Sequence, residues 1–352
     1  MILIDGRPLQ TFSKYRGIGR FTKGILDSFR EHNKFYFLFF KNPPLTLKNI
    51  VEISSPKRFI TFSDNIFLTK ILKEKNVSLF HSTGYALVKH PQNTKKILTV
   101  YDLTPLLFPK FFSLKHRLIF KQILKSGRYA DKIICISENT KNDLLRFFPE
   151  YDNKIEIIYP FIEKDFCKKS DNNFTPPFKN YFLFVGGEDR VKNLKTILKA
   201  LEINNFNLII SGKFSDNSIK SIYKNYPKLK ERIHFSGYVD ESKLSSLYKN
   251  AIALLYPSLN EGFGYPPLEA LKCNTPSIVS KKGSLSEILK ENAIYLKDPL
   301  NPEEISEKMT LIYNNPHLKD NILKDSFSLF SLYSSEAFKQ KLFSLYRELE
   351  VL

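Results

Sequence analysis

Short apolar runs alternate with longer amphipathic stretches along most of the chain. Over residues 1 to about 160 the runs are ILID, FYFLFF, RFITF, SLFHS, KKILTVYDL, KIICIS and KIEIIYP. They lack the strict alternation of strands with one solvated face, so they are typical of parallel strands covered on both faces. The helical patterns between them complete βαβ units, which predicts a parallel α/β sheet.

The same plan returns in the second half, after a polar interval. Residues 161–179 are rich in proline and asparagine, which predicts a linker between two domains. The runs YFLFVGG, FNLIISG, IHFSGYVD, AIALLYPS and SIVS follow, and SIVS with GSLSEIL is expected to close the second sheet. From Asn301 onwards the pattern is helical, and apolar residues at 338, 342, 345 and 349 form one stripe of a final helix. A length of 352 residues suits two such domains.

Composition narrows the class of protein only partly. An apolar fraction of 42% allows each domain a buried core, so the chain is globular rather than disordered. The formal net charge of +18 favours an anionic partner, which means nucleic acid, anionic lipid or an anionic substrate. No RNP, zinc-finger or helix-turn-helix signature accompanies the charge, so a nucleic-acid partner is not expected.

The cysteines and the N-terminus bear on the compartment. Cys135, Cys167 and Cys273 are widely spaced and odd in number, so they fit neither a zinc site nor a disulfide framework and suggest reducing surroundings. The N-terminal MILIDGRPLQ does not have the pattern of a signal peptide. The longest apolar runs fall well below the ~20 residues of a membrane span. We therefore expect a cytoplasmic protein.

The stretch SLNEGFGYPPLEALKCNT, residues 258–275, carries the strongest chemical signal. A predicted strand leads into a short loop, two prolines then open a helix, and Glu269 lies on that helix. The loop supplies four candidate residues: Glu261, Gly262, Phe263 and Gly264. Free N–H groups at a helix N-terminus, approached closely past glycines, bind anions, and two carboxylates beside them suit sugar or ribose hydroxyls. The stretch predicts a sugar-nucleotide site, with an ordinary strand-to-helix turn as the alternative.

With ERIHFSGYVDESKLSSLYKN before it and GSLSEIL and LKDPLNPEEIS after it, this stretch resembles family 4 of the retaining GT-B glycosyltransferases. The family's two glutamates, separated by seven residues, correspond to Glu261 and Glu269, and the resemblance covers nearly the whole chain. The chain departs from the family at Asn274, where glycine is usual, and at Ser286, where proline is frequent. Asn274 can still end a helix, because asparagine tolerates the left-handed conformation.

The resemblance implies the GT-B fold, an α/β architecture of two facing Rossmann-like domains with parallel sheets. It assigns residues 1–165 to an acceptor-side domain and residues 178–333 to a nucleotide-sugar-binding domain. Residues 334–352 are expected to form a C-terminal helix that crosses back onto the first domain. The ligand cleft is then expected at the carboxyl ends of the strands.

Several polar or glycine positions of the first domain follow strands. The loop after ILID ends in Gly17 and Gly19 and, by resemblance, lies against donor phosphates. It fails as a dinucleotide fingerprint because Thr22 stands at the third glycine position. His81 ends the strand SLF, an acceptor-side position where open sheets place ligands. Ser137 is expected to cap the following helix.

The next predicted strand of the first domain ends in Tyr101 and Asp102. The family commonly has histidine where Tyr101 stands, near the donor sugar, so a phenol puts a catalytic role of this acceptor-side position in doubt. Asp102 then becomes the candidate to contact the acceptor hydroxyl, and a helix cap is its alternative.

Two cations follow the first strand of the second domain. Most relatives carry adjacent Arg-Lys before an asparagine, whereas here Val191 separates Arg190 from Lys192, and Lys192 keeps the family's place. Both are expected to neutralise the donor diphosphate as the glycosyl bond breaks, and the alternative is two exposed cations. By resemblance, Tyr238 and Val239 lie beside the nucleotide base.

These observations predict a retaining hexosyltransferase with Glu261 and Asp102 as catalytic candidates. Relatives with the IDGRP start and the YDLTPLLFP segment include mannosyl- and rhamnosyltransferases of O-antigen and capsule assembly, so GDP-mannose is the expected donor. Asp-x-Asp does not occur, so neither a metal nor another cofactor is expected. The alternatives are an inactive GT-B partner subunit, suggested by Tyr101, and a basic nucleic-acid-binding protein, suggested by charge alone. An NAD-dependent enzyme is disfavoured by the missing third glycine.

The segment from Pro109 to Arg128 predicts contact with the inner membrane surface. Taken as one helix, it places Arg117, Lys121 and Lys125 on a basic stripe beside apolar residues. Such a helix resembles interfacial anchors, and the family offers a reason for one, since many members glycosylate lipid-linked acceptors. The alternative is a helix that packs its apolar side onto the sheet.

Overall fold

A computed structural model describes residues 1–11, 14, 17–44, 47–53, 63–84, 86–171, 174–324 and 326–349. The chain forms two compact units. The first comprises Met1–Phe161 and Tyr333–Leu352, and the second comprises Ile162–Leu332. The first division therefore falls four residues before the predicted end of the first domain at 165.

The first unit is built on a seven-stranded sheet whose neighbouring strands all run parallel. Its strands are β1 (Ile2–Asp5), β2 (Phe35–Phe40), β3 (Ile50–Ile53), β4 (Leu79–Ser82), β5 (Lys95–Val100), β6 (Lys132–Cys135) and β7 (Ile155–Ile157). Their order is β3-β2-β1-β4-β5-β6-β7. The sequence did not predict β3, and the predicted strand RFITF (58–62) lies outside the described residues.

Helices connect these strands, as the βαβ pattern predicted. They are α1 (Gly17–Phe29), α2 (Ser63–Glu74), α3 (Thr104–Leu107), α4 (Leu114–Lys125) and α5 (Glu138–Phe147). In α1 the buried Phe21, Ile25 and Phe29 recur every four residues and face the core. Ser137 caps α5, where its hydroxyl accepts a hydrogen bond from the backbone N–H of Thr140, so the predicted cap is confirmed.

The second unit holds a six-stranded parallel sheet. Its strands are β8 (Phe182–Val185), β9 (Leu208–Ser211), β10 (Ile233–Gly237), β11 (Leu254–Tyr256), β12 (Ser277–Ser280) and β13 (Ile294–Leu296). Their order is β10-β9-β8-β11-β12-β13, so the direction of winding reverses between β8 and β11. The expectation that SIVS closes this sheet is wrong, because β13 pairs beyond β12.

The helices of the second unit are α6 (Leu194–Ile203), α7 (Asp216–Asn225), α8 (Glu241–Asn250), α9 (Tyr265–Lys272), α10 (Leu285–Leu289), α11 (Pro302–Asn314), α12 (Leu318–Leu323) and α13 (Ser326–Leu332). Asn301 caps α11, in agreement with the predicted helical region. Asn274 adopts φ = +56° after α9, which is the left-handed residue expected there.

The final helix, α14 (Ser335–Glu348), belongs to the first unit and packs on α1. The ring of Phe338 lies edge-on to Phe21, with centroids 5.1 Å apart. Gly24 leaves room beside α14, because a Cβ there would lie 3.3 Å from the ring of Phe338 and 2.5 Å from that of Phe161. The fold class is therefore confirmed, including the return of the C-terminal helix.

Part of the predicted linker instead packs firmly on the second unit. Ile162 and Phe166 are buried, and a disulfide joins Cys167 to Cys273 across a Cα–Cα distance of 5.3 Å. The expectation that these cysteines stay unpaired is wrong, since the fold brings together residues 106 positions apart. Cys135 is free and buried.

No helix in the described part of the chain is both long enough and apolar enough to cross a bilayer.

Candidate functional site

The carboxyl ends of β8 and β11 bring a lysine, a glutamate and a tyrosine together. Tyr256 is the last residue of β11, Glu261 lies in the loop that follows, and Lys192 lies in a short 3₁₀ turn after β8. The Nζ of Lys192 donates to Glu261 Oε1 at 2.6 Å and to Tyr256 Oη at 2.5 Å. The winding of the sheet reverses between these two strands, which is where open α/β sheets bind ligands.

Backbone and side-chain bonds tie the two loops that carry this cluster. Leu259 N donates to Val191 O at 2.8 Å, and the hydroxyl of Ser258 donates to the same carbonyl. Asn193, buried and left-handed at φ = +59°, donates from its side chain to Pro257 O at 3.2 Å. The separation between Lys192 and Glu261 is therefore set by main-chain contacts rather than by their ion pair alone.

The loop around Glu261 is closely packed on its other side. Gly283, at φ = +63°, leaves room for the main chain of Glu261, which a Cβ at this position would strike. Ser284 N donates to Glu261 O at 2.9 Å. Gly264 starts α9 at φ = +91°, and a Cβ there would lie 2.6 Å from Leu285. Both glycines are thus required by conformation and by space.

The first turn of α9 has fewer free N–H groups than we predicted for an anion site. Pro266 and Pro267 occupy it, as predicted, but proline carries no N–H. Among the first four positions only Gly264 and Tyr265 retain one. Positive charge at this edge therefore comes chiefly from the Lys192 side chain.

Glu269 lies inside α9 and is almost fully buried, at 3% exposure. Its Oε2 accepts a hydrogen bond of 2.8 Å from the phenol of Tyr248, a fully buried residue of α8. Buried carboxylates require such partners, so the α8–α9 contact supports the position of Glu269.

Burial also acts on the tyrosine of the cluster. Burial raises the pKa of Tyr256 well above its ordinary value, and the negative charge of Glu261 raises this pKa further. Tyr256 is consequently a protonated phenol at neutral pH. From the sequence we did not predict a role in the site for Tyr256, Tyr248 or Asn193. Only Tyr256 carries a signal, because it is a polar residue at the end of an apolar strand run.

The remaining candidates of the second unit differ in their exposure. Arg190 is exposed and forms no ion pair among the residues that the structure describes. Tyr238 is 69% exposed after β10, and the neighbouring Val239 is half-buried. Gly262 is half-buried and Phe263 is buried, its ring packing against Tyr265 with centroids 5.2 Å apart.

In the first unit, His81 lies in the core. It is fully buried, one ring nitrogen bonds Tyr346 Oη and the other bonds Thr99 Oγ1, each at 2.8 Å. Burial lowers the pKa of His81 to about 3, so the ring is neutral. This placement corrects the acceptor-side prediction for His81, because α14 supplies Tyr346 and covers the strand end.

The two candidates that follow β5, Tyr101 and Asp102, both form hydrogen bonds within the first unit. The phenol of Tyr101 donates to Thr83 O at 2.6 Å. Asp102 Oδ1 accepts from the backbone N–H of Thr104 at 2.8 Å, at the start of α3. Leu103 is the N-cap residue of α3, so Asp102 bonds the first N–H of that helix without being its cap, and its contact with an acceptor stays a prediction.

Gly17 and Gly19 lie in the first turn of α1 rather than in a preceding loop, because this helix begins at Gly17. Gly19 is buried and Gly17 is half-buried.

The basic stripe predicted in residues 109–128 forms a helix only from Leu114, where Ser113 provides the cap. Leu124 is buried and Phe120 packs on the core, whereas Leu114 and Leu118 are more than half exposed. A groove of about 620 Å³ beside α4 is lined by four cations and one carboxylate: Arg117, Lys121, Lys125, Arg128 and Glu150. The alternative of an apolar side packed on the core is therefore met at Phe120 and Leu124, whereas contact with a membrane surface stays a prediction.

Two family descriptions match adjacent parts of the chain. Residues 24–166 match "Glycosyltransferase Family 4", and residues 166–326 match "Glycosyl transferases group 1". A relative from Salmonella typhimurium, described as "O-antigen chain mannosyltransferase RfbU", is 30% identical over 289 residues, or 79% of this chain and 78% of the relative.

Solved structures show the same fold at low identity. The Anabaena HepE structure with UDP and glucose covers 98% of this chain and 99% of its own, with a TM-score of 0.73 and 14% identity. WaaG, described as a glycosyltransferase involved in lipopolysaccharide biosynthesis, covers 97% and 98% with a TM-score of 0.73 and 13% identity.

Proposed function

The chain belongs to the family 4 GT-B glycosyltransferases, and on this premise we propose that it moves a hexose from a nucleotide sugar to a glycan or lipid-linked acceptor during surface polysaccharide assembly. The observation that carries the proposal is the Lys192–Glu261 pair at the winding reversal of the second sheet. It joins a cation suited to a diphosphate with a carboxylate suited to a sugar, in one fixed arrangement.

The proposed reaction breaks the bond between the anomeric carbon and the diphosphate oxygen of the donor. The acceptor hydroxyl oxygen forms the new glycosidic bond and loses its proton to the nucleoside diphosphate, which leaves. Negative charge grows on the leaving oxygen, and Lys192 would stabilise it. Glu261 would hold sugar hydroxyls, and Glu269 would bind the ribose.

Retention of anomeric configuration and independence of metal ions are parts of this proposal. The side-chain ammonium of Lys192 supports metal independence, because it already brings positive charge to the carboxyl edge of the sheet. Arg190, Tyr238 and Val239 are proposed to complete the donor site, with Arg190 on the diphosphate and the other two beside the base.

Mannose from GDP-mannose is the proposed donor sugar. The support is the relative described as an O-antigen chain mannosyltransferase, which is 30% identical to this chain. A fold neighbour binds UDP and glucose, so UDP-glucose is the competing donor that an assay must include.

Nucleotide release tests the proposal. The purified chain is incubated with GDP-mannose, GDP-rhamnose, UDP-glucose or UDP-galactose, with and without a polyprenyl-diphosphate-linked oligosaccharide. We expect release with one donor, stimulated by acceptor and abolished in Lys192→Ala. Lys195→Ala, which removes an exposed lysine of α6, is the matched control and keeps activity. Absence of release from every donor contradicts the proposal.

The cationic groove beside α4 supports a further part of the proposal, contact with an anionic membrane surface. The buried Nε of Arg117 has no hydrogen-bond partner among the described residues, and an anion or a water molecule would satisfy it. Exposed Leu114 and Leu118 supply apolar surface at the same place. Each Lys or Arg near an anionic leaflet contributes about 1 kcal/mol.

Vesicle flotation tests this contact. Binding should require anionic lipid, weaken with salt, and fall in Arg117/Lys121/Lys125→Glu. The matched control reverses three exposed lysines of the same unit: Lys23, Lys339 and Lys341. Equal loss in both triple variants means that only net charge matters, and no binding at low salt contradicts the contact.

A further inference from the structure

A buried tyrosine phenol is joined to each side of the site by a hydrogen bond. The Tyr256 oxygen bonds Lys192, which also donates to Glu261, and the Tyr248 phenol donates to Glu269. Both tyrosines have 0% exposure, so neither phenol can instead be hydrated. A phenol in a fully buried strand or helix position needs a partner, and here the partner is a charged group of the site, the ammonium of Lys192 or the carboxylate of Glu269.

The direction of the hydrogen bonds around Tyr256 follows from the chemistry of its neighbours. An ammonium only donates, so the Tyr256 oxygen accepts from Lys192 at 2.5 Å. The same ammonium donates to Glu261 at 2.6 Å, so Lys192 joins the phenol and the carboxylate. Both bonds have a charged donor and are accordingly strong.

These two bonds use two of the three N–H groups of Lys192 and leave one for a ligand. Lysine has a long, mobile side chain, and its freedom is lost before a ligand arrives if a rigid neighbour already holds it. Tyr256 is such a neighbour, because it is the last residue of β11, a central strand of the sheet.

We propose that Tyr256 is a positioning residue for glycosyl transfer, which holds Lys192 and Glu261 together in the orientation that the donor diphosphate and sugar require. This inference rests on the proposed function, since it names what orients the pair to which that function is assigned. Tyr248 is an equally buried phenol that bonds the other glutamate, Glu269, and it therefore provides an internal comparison.

The test is a double-mutant cycle on nucleoside diphosphate binding, which needs no turnover. GDP and UDP are titrated by calorimetry into the wild type, Tyr256→Phe, Lys192→Ala and the double variant. Loss of a hydrogen bond to a charged group should lower affinity about tenfold in Tyr256→Phe. In the Lys192→Ala background the same change should have no further effect, because the phenol acts through the lysine.

Tyr248→Phe is the matched control, since it removes one buried oxygen from an equally buried ring. Any effect it has on affinity should persist in the Lys192→Ala background. Kinetics with the donor found in the release assay give a second measurement. Tyr256→Phe should lower kcat about ten- to a hundredfold, whereas Tyr248→Phe should mainly raise the KM for donor.

Three results would overturn the proposal. Wild-type affinity and kcat in Tyr256→Phe would remove the role of the phenol. Equal losses in the wild-type and Lys192→Ala backgrounds would mean a general structural effect. Unchanged kcat with raised donor KM would assign Tyr256 to binding alone. If the wild type binds neither GDP nor UDP and releases no nucleotide, the proposed function itself fails, and with it the role of Tyr256.

Discussion

The carboxyl ends of the two sheets carry polar candidates of similar kind, yet the fold treats them differently. In the second unit, Lys192 and Glu261 pair with each other at partial exposure. In the first unit, His81 is sealed between Thr99 and Tyr346, and Asp102 accepts a hydrogen bond from the backbone N–H of Thr104. Position at a strand end therefore brings a side chain to the ligand edge, but the element that packs over that edge decides whether it is accessible.

The difference has a physical origin in what covers each edge. Tyr346 of α14 lies 265 residues after His81 and completes its hydrogen bonds in a dry core. In the second unit, Gly264 and Gly283 keep the loops beside Glu261 close without filling the space with side chains. The first arrangement stabilises a fold, whereas the second leaves charged groups available for a ligand.

The largest expected effect concerns the covalent tie of the second unit. In the oxidised protein, Cys167→Ser should lower its free energy of unfolding by about 2–4 kcal/mol, because the disulfide closes a loop of 106 residues. Hydrogen exchange measured separately for the two units should show the loss in the second unit alone.

Dithiothreitol should reproduce the loss in the wild type but not in Cys167→Ser. Cys135→Ala is the control for removal of a thiol that has no disulfide partner. Equal effects in both units would contradict the assignment of the tie to the second.

The second prediction concerns turnover in variants of Glu261 and His81. Glu261→Ala should lower turnover about ten- to a hundredfold, corresponding to about 1.5–3 kcal/mol for a hydrogen bond to a charged group. His81→Asn should lower the unfolding temperature and leave the turnover of the folded fraction unchanged, since His81 lies in the core. A loss of turnover in His81→Asn as large as that in Glu261→Ala would contradict the assignment of His81 to the core rather than to the site.

The pH dependence of stability provides a third test. The pKa of folded His81 is lowered by burial to about 3 against an ordinary value near 6.5, so the unfolded chain binds the proton more readily. The stability from neutral His81 is present above pH 6.5 and is lost as pH falls towards 3. Between pH 7 and pH 5 the first unit should lose about 2 kcal/mol.

The comparison variant for this test is His116→Gln, which changes an exposed histidine of α4. It should keep the wild-type slope of stability against pH, whereas His81→Asn should flatten it. Identical slopes in the wild type and His81→Asn would show that His81 does not titrate on unfolding.

The smallest expected effect is that of chelation. With Lys192 providing positive charge for the leaving diphosphate, EDTA should leave the rate of nucleotide release within about twofold. Lys192→Ala serves as the reference for lost charge. Activity that disappears with EDTA and returns with magnesium or manganese would contradict metal independence.

Local chemistry was sufficient to predict two parallel sheets and the central loop, although not the strands β3 and β13. Apolar runs without alternation predict doubly covered strands, and Pro266 and Pro267 mark the start of α9 from their missing N–H groups. The spacing of Glu261 and Glu269 is likewise a property of a short stretch. Such features depend on residues a few positions apart, so they can be predicted from the sequence alone.

Tertiary structure alone decided which polar groups meet. The partners Lys192 and Tyr256 are 64 residues apart, and His81 and Tyr346 are 265 apart. The bond from Tyr248 to Glu269 and the Cys167–Cys273 disulfide also join distant segments. Periodicity reports which face of an element is buried, but it does not report which other element covers that face. For that reason the parallel strands of both domains and the glutamate loop could be predicted from the sequence, whereas packing determined which strand ends remain open to a ligand.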